Sequence, residues 1–341
     1  MGIVIRNHHD HEKKTISFPP KEIIDVIPTP LKEILVKAWQ NTKDIEEIRI
    51  RKNKPLMLRL SHSEMFFNHY GDQVYKLSEA FTVSSILFDN LVGILSQSSM
   101  YALEKEFQNG FITIKGGHRV GFVGEAVLEK GAVKTQKNIA SINIRIAKEA
   151  VGCSKEVMPH IINRSENCLR HTLIISPPRC GKTTLLRDIV RTISSGNNNP
   201  YLPPMHVGLI DERSEIAACY HGEPQLDVGP RTDILDRCPK DQGMIMLIRS
   251  MGPDVIVTDE LGTPRDVEAT RQVINAGIKF IASVHGDDLD HLYKRPVMKD
   301  LLNMKIFERF IILNKYGSGP WIKQIVHDSA QTTNYKGGKC N

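Results

Sequence analysis

The stretch that decides the fold is Leu173-Ile174-Ile175-Ser176-Pro177-Pro178-Arg179-Cys180-Gly181-Lys182-Thr183-Thr184. A short apolar run, predicted as a strand, enters a turn-forming segment, after which Leu185, Leu186, Ile189, Val190 and Ile193 recur at helical spacing. Strand, loop and helix in that order are the setting of a phosphate-binding loop. Backbone N–H groups at the helix start, backed by the helix dipole, suit a β-phosphate. Lys182 reaches for the β and γ oxygens, and the Thr183 hydroxyl suits Mg²⁺. The nucleotide-binding set read from this segment is Ser176, Pro177, Pro178, Arg179, Cys180, Gly181, Lys182, Thr183 and Thr184. The motif normally opens on Gly, and Ser176 stands there instead; a positive φ would strain it by about 1 kcal/mol or more. Pro177 and Pro178 have no N–H, so the cradle falls to Cys180 through Thr184. Cys180, at a helix N-terminus beside Lys182, is expected to be the thiol that reagents label first.

Downstream, Gly252-Pro253-Asp254-Val255-Ile256-Val257-Thr258-Asp259-Glu260 is a predicted strand ending in two carboxylates. In NTP hydrolysis Asp259 would serve Mg²⁺ while Glu260 orients or deprotonates the attacking water; otherwise the pair merely caps the helix over 264–276 or sits in solvent. Val207-Gly208-Leu209-Ile210 ends in Asp211-Glu212-Arg213, which makes Glu212 the alternative catalytic carboxylate to Glu260. Phe280-Ile281-Ala282-Ser283-Val284 ends in His285, a candidate to sense the γ-phosphate. Asn314-Lys315-Tyr316-Gly317 lacks the Asp that reads guanine, which points to ATP rather than GTP.

Short apolar strands alternate with helices predicted over 181–194, 239–250 and 264–276, the pattern of a mostly parallel sheet covered by helices. The residues before this core read differently. Leu31, Ile34, Leu35, Ala38 and Trp39 fall at helical spacing, Glu47-Ile48-Arg49-Ile50-Arg51 alternates as a strand, and a helical pattern covers 79–108. Gly116-Gly117 separates two alternating runs as a hairpin, and Ile142-Asn143-Ile144-Arg145-Ile146 is a further strand. The expected architecture is therefore α/β: a P-loop core behind a smaller α+β N-terminal domain. Its boundaries read as a lead-in over 1–29, the α+β domain over 30–150, a linker over 151–169, the ATPase domain over 170–328 and a loose tail over 329–341. Phe310-Ile311-Ile312-Leu313 and Trp321-Ile322-Lys323-Gln324-Ile325 form a closing hairpin.

The chain has 341 residues, 40% hydrophobic and 25% charged, with a net charge of +6. These proportions exclude a disordered chain and a disulfide mini-protein. Six cysteines without a C-x-x-C pair make neither a zinc site nor a disulfide framework. His8, His9 and His11 either hold a metal or belong to a solvated tail. With no apolar run near the ~18 residues that cross a bilayer, the expectation is a cytoplasmic protein that meets a membrane only through partners.

Taken in order, these stations resemble the stage III sporulation protein AA family, a branch of the type II/type IV secretion ATPases in the RecA-like group. The resemblance spans roughly 30–328 and rests on Glu47 through Arg51, the Gly110–Gly124 hairpin, Ser141 through Ala147, Asp211-Glu212-Arg213-Ser214-Glu215 and Ser283-Val284-His285-Gly286. It implies an ATP- and Mg²⁺-dependent, ring-forming ATPase, a homo-hexamer on the mother-cell side of the forespore membrane. Its partners would be membrane-bound channel proteins of the same operon. It also implies that Glu260 is the Walker B glutamate with Asp259 extra, that His285 lies in a histidine box, and that Arg119 or Arg145 reaches the γ-phosphate from the N-terminal domain. Two alternatives remain on the residues: a RecA-like motor moving nucleic acid, disfavoured because no basic stripe interleaves with aromatics, and an ATP-gated scaffold with little turnover.

Overall fold

Isoleucines at 48 and 50 alternating with arginines at 49 and 51 build a strand with one oily and one charged face, and the N-terminal unit is organised around it. The computed structural model of the chain describes residues 18–42, 44–61, 63–96, 110–196, 202–314, 321–327 and 331–334. It divides into two compact units between Ala147 and Lys148. The histidines at 8, 9 and 11, the residues after Asn314 in the guanine-reading comparison, and 97–108 of the expected helix lie outside the described residues.

In the first unit β1 (Ile45–Arg51), β2 (Met57–Leu60), β3 (Glu64–Phe67), β4 (Gln73–Val74), β5 (Phe111–Thr113), β6 (Arg119–Glu129) and β7 (Ala132–Arg145) form one sheet. Its order is β4-β3-β2-β1-β7-β6-β5, antiparallel throughout. Ile48, Ile50, Val120, Phe122, Ile142 and Ile144 are buried with Leu31, Ile34 and Leu35 of helix Leu31–Asn41 and Phe88 and Leu91 of helix Ser85–Leu95. Each such side chain contributes about 1.5–3 kcal/mol by leaving water. Gly116 (φ 81°) and Gly117 (φ 75°) make the β5–β6 turn in a region that other residues enter only at a cost.

In the second unit β8 (Ile162–Asn163) pairs with β9 (Cys168–Leu169). The large sheet comprises β10 (Thr172–Ser176), β11 (Val207–Asp211), β12 (Thr232–Asp236), β13 (Val255–Thr258), β14 (Lys279–His285), β15 (Arg309–Asn314), β16 (Trp321–His327) and β17 (Gln331–Asn334). Its order is β12-β11-β13-β14-β10-β15-β16-β17, parallel from β12 to β15 and antiparallel beyond. Helix Lys182–Ser195 packs into one core layer, and helices Lys240–Ser250, Pro264–Asn275 and Pro296–Asn303 pack into the other, so the parallel strands are apolar on both faces. Among the described residues no helix is long and apolar enough to cross a membrane.

Three boundaries differ from the sequence reading. Within the expected lead-in, helix Lys21–Val26 places Ile23 in the first core, because that side chain and Ile27 complete its apolar layer. The expected linker is structured: Cys153, Val157, Met158, Ile161 and Leu169 are buried with the second core. Apolar content, not connection, governs that segment. The expected loose tail contains β17, paired to β16 from Gln324↔Asn334 to His327↔Gln331; edge pairing is made by backbone groups and needs no apolar side chains.

The former linker is gripped by a single buried carboxylate. Asp188, 3% exposed, accepts from Gly152 N at 3.0 Å and Ser154 N at 2.7 Å, and pairs with Arg191 at 2.7 Å. Burial pushes its carboxyl up, but these donors together hold it below the ordinary 3.8. A folded pKa below the unfolded one stabilises the fold above the unfolded value, and that stabilisation is lost as pH falls through the folded value. Asp188→Ala is expected to cost roughly 2–4 kcal/mol at neutral pH by orphaning these donors. In urea titrations the gap between wild type and Asp188→Asn should be full at pH 7, begin to shrink near pH ~4 and close below the folded pKa.

Candidate functional site

The parallel register brings the carboxyl ends of β10, β11, β13 and β14 to one edge, where Ser176 pairs with His285 and Ile210 with Thr258. This is the edge at which open α/β sheets bind ligands. Ser176 ends β10 in extended backbone, fully buried, with its hydroxyl donating to the Pro177 carbonyl at 2.8 Å. No positive φ arises there. The left-handed residues of the loop are Arg179 (φ 62°) and Gly181 (φ 77°), so the missing first glycine costs nothing at Ser176 and the strain falls on Arg179. Gly181 is the N-cap of helix Lys182–Ser195 and provides no side-chain cap, leaving the first-turn N–H groups uncapped by any side chain. That arrangement fits a phosphate, which the same groups would bind.

Lys182 is 6% exposed, with Nζ 3.1 Å from Glu260 Oε1 and 3.4 Å from His285 Nε2. Burial lowers its pKa, and Glu260 and Asp259 oppose the shift. Glu260, just past β13, is held at φ 47° with its N–H donating to Ser283 Oγ at 3.1 Å. Strain of this kind is kept where surrounding structure over-determines it. Its Oε1 also meets His285 Nε2 at 2.8 Å, and its Oε2 meets Arg213 Nη1 at 2.7 Å. Burial pushes the Glu260 carboxyl up, but Lys182, His285 and Arg213 more than compensate and hold it below the usual range. The His285 carbonyl accepts from Arg295 at 2.6 Å, fixing the backbone of the strand end.

Asp259 is 1% exposed, and its Oδ2 has no hydrogen-bond partner among the described residues. Burial, then Asp211 and Glu260, push it up to about 7. An orphaned buried carboxylate oxygen beside the phosphate loop fits a cation. No cluster of three or more His, Cys, Asp or Glu among the described residues makes a metal site alone. Mg²⁺ commonly takes one or two carboxylates and completes its shell with phosphate and water, and Thr183 and Asp259 are the groups that would hold it. Helix Pro264–Asn275 is capped by Thr263 and Asp266 in a capping box, so neither Asp259 nor Glu260 is needed there.

The other acidic pair has different duties. Asp211, fully buried, accepts from Glu215 N, Ile216 N and Ala217 N, each at 2.8 Å, and so shapes the loop after β11. Arg187 of helix Lys182–Ser195 donates to the Ile216 and Glu215 carbonyls and ties that loop to the phosphate-loop helix. Glu212 is ion-paired with Lys240, whereas the carboxylate paired with Lys182 is Glu260. Arg213, Ser283, Arg187 and Arg295 had no assigned role in the sequence reading; the one signal was the position of Arg213 directly after the acidic pair.

Arg119 and Arg145 lie on the charged face of the first sheet, cross-strand neighbours in the β6–β7 register. With Arg49, Arg51, Phe111 and Asn143 they line a cavity of about 520 Å³. The Arg119 guanidinium stacks 3.5 Å from the Phe111 ring centroid, and Arg145 Nε stands 3.7 Å from Glu47 Oε1. The structure places these groups within the first unit.

Cys180 corrects an expectation. It is 3% exposed and its thiol donates to the Pro178 carbonyl at 3.6 Å, because the loop turns the side chain into the core. Mass-spectrometric mapping of the folded chain should find the half-buried Cys168 or Cys238 modified before Cys180. Ser176→Gly should leave nucleotide affinity within about twofold, since no left-handed turn is relieved, and should lower the unfolding free energy by the ~0.5–1 kcal/mol of glycine in a strand.

Among solved structures, the Legionella pneumophila ATPase DotB superposes with a TM-score of 0.55 at 12% identity, covering 89% of this chain and 82% of that one. The pilus retraction motor PilT, solved with bound ADP, superposes at 0.54 and 13% identity over 84% and 80%. These likenesses show that the chain shares the fold of those two proteins. Stage III sporulation protein AA of Bacillus subtilis (strain 168) is 41% identical over 308 residues, 90% of this chain and 94% of that relative. The family model described as sporulation stage III, protein AA matches residues 19–332, and the chain belongs to that family.

Proposed function

We propose that the chain binds ATP with Mg²⁺ at the β10 loop and hydrolyses it as a ring-forming motor or assembly ATPase of a sporulation trans-envelope channel. The observation that carries this reading is the convergence of Lys182, Glu260 and His285 at the carboxyl edge of the parallel sheet. The first-turn N–H groups and Lys182 would hold the β- and γ-phosphates, and Thr183 and Asp259 the cation. Bound Mg²⁺ would neutralise phosphate charge and bring the Asp259 carboxyl down into its ionised form.

Glu260 takes a proton from water, the water oxygen bonds to the γ-phosphorus, and the bridging bond breaks with its electron pair leaving on ADP. His285, already 2.8 Å from Glu260, senses the γ-phosphate by hydrogen bonding. Arg119 or Arg145 completes the site from a neighbouring copy, which the cavity of guanidiniums on the charged sheet face supports. The assembly is a homo-hexamer, cytoplasmic on the mother-cell side of the forespore membrane, working with membrane-bound channel proteins of its operon. A second reading, an ATP-gated scaffold with little turnover, draws on the Lys182–Glu260 pair itself, since phosphates must compete with Glu260 for the lysine.

Lys182→Ala should abolish tight ATP binding, and Glu260→Gln should retain binding and stop turnover, as measured by equilibrium binding and phosphate release. Turnover by Glu260→Gln at the wild-type rate would move the catalytic carboxylate elsewhere. At least one of Arg119→Ala and Arg145→Ala should keep ATP binding while losing ~10³-fold or more in rate. Single-turnover hydrolysis by the assembled wild type decides between motor and scaffold.

A further inference from the structure

Arg213 is the most exposed of the three groups on Glu260: its side chain is 58% exposed, that of His285 42% and that of Lys182 6%. It follows the acidic pair Asp211-Glu212 in a loop whose path is set by the three amides on Asp211 and by Arg187. The contacts divide by oxygen. Lys182 and His285 share Oε1, whereas Arg213 holds Oε2 at 2.7 Å. If Lys182 turns to the phosphates, Oε1 loses one of its two donors while Oε2 keeps its guanidinium. The Glu260 backbone is already pinned through Ser283, so side-chain rotation is the freedom left to the carboxylate.

We propose that Arg213 is a positioning residue for ATP hydrolysis: by anchoring Oε2 it keeps Oε1 as the oxygen offered to the attacking water. The inference rests on the ATPase reading above. A short charge-assisted hydrogen bond of this kind is both strong and directional. Arginine serves better than lysine because its planar fork fixes orientation as well as charge.

The test uses the full chain with Mg²⁺, reading ATP affinity, turnover at saturating ATP, and affinity for ADP with vanadate as a transition-state mimic. Arg213→Ala should hold ATP affinity within about twofold and lose ~10-fold or more in turnover and in ADP–vanadate affinity. Arg213→Lys should recover part of both. In a Glu260→Gln background Arg213→Ala should cost no further ADP–vanadate affinity, because the arginine acts through that carboxylate. A purely structural role would instead lower ATP affinity and the melting temperature together, and would add to the Glu260→Gln effect. Wild-type turnover and ADP–vanadate affinity in Arg213→Ala, or an additive loss in the double variant, would overturn the inference alone. A wild-type chain that binds ATP but neither hydrolyses it nor prefers ADP–vanadate would overturn the ATPase reading, and this inference with it.

Discussion

Parallel pairing of β10 between β14 and β15 is the constraint on which the rest depends. It sets Ser176 opposite His285 and makes both strands end at the same edge, so the loop after β10 and the histidine emerge side by side. A slip of one residue would turn every side chain of β10 to the other face and exchange the two core layers. The strands tolerate no such slip because Leu173 and Ile175 are committed to one layer and Ile174 to the other. The arrangement of polar groups at that edge is in this sense a by-product of burying apolar side chains on both faces of a parallel sheet.

The charges at that edge are partitioned rather than pooled. Burying several carboxylates near one lysine is costly unless each finds a partner, and the structure meets that cost in separate ways. Asp211 spends its oxygens on three backbone amides, Glu212 takes Lys240, and Glu260 is shared among Lys182, His285 and Arg213. Asp259 keeps a buried oxygen without a hydrogen bond among the described residues, and burial, then Asp211 and Glu260, push its carboxyl up to about 7. An unsatisfied carboxylate at a strand end, beside uncapped helix N–H groups, is a site that a cation and an anion would satisfy together.

The helix after the phosphate loop does more than aim its N-terminus. Through Asp188 it holds the segment that opens the second unit, and through Arg187 it holds the loop that carries Glu212 and Arg213. One element thus ties together the phosphate loop, the entry to the unit and the second acidic pair. The matched family region runs from residue 19 to residue 332 and so takes in parts of both units.

Much of this was legible in the chain because it depends on local order. Strand, loop and helix around Lys182 form a contiguous signal, and apolar runs ending in Asp259-Glu260 and His285 read as buried strands with polar ends wherever the sheet places them. The alternation of Arg49 and Arg51 with Ile48 and Ile50 likewise announced a charged sheet face, since side-chain direction in a strand has a period of two. What the sequence could not carry was partner choice. Nothing local distinguishes Glu212 from Glu260 as the carboxylate beside Lys182; the strand order β11-β13-β14-β10 and the reach of Lys240 decide it. Nor could local reading show that Ser176 lies in extended backbone, that Cys180 turns inward, or that 151–169 packs as core. Backbone angles in a loop and the burial of a connecting segment are set by what lies across from them, and that is known only once distant strands have paired.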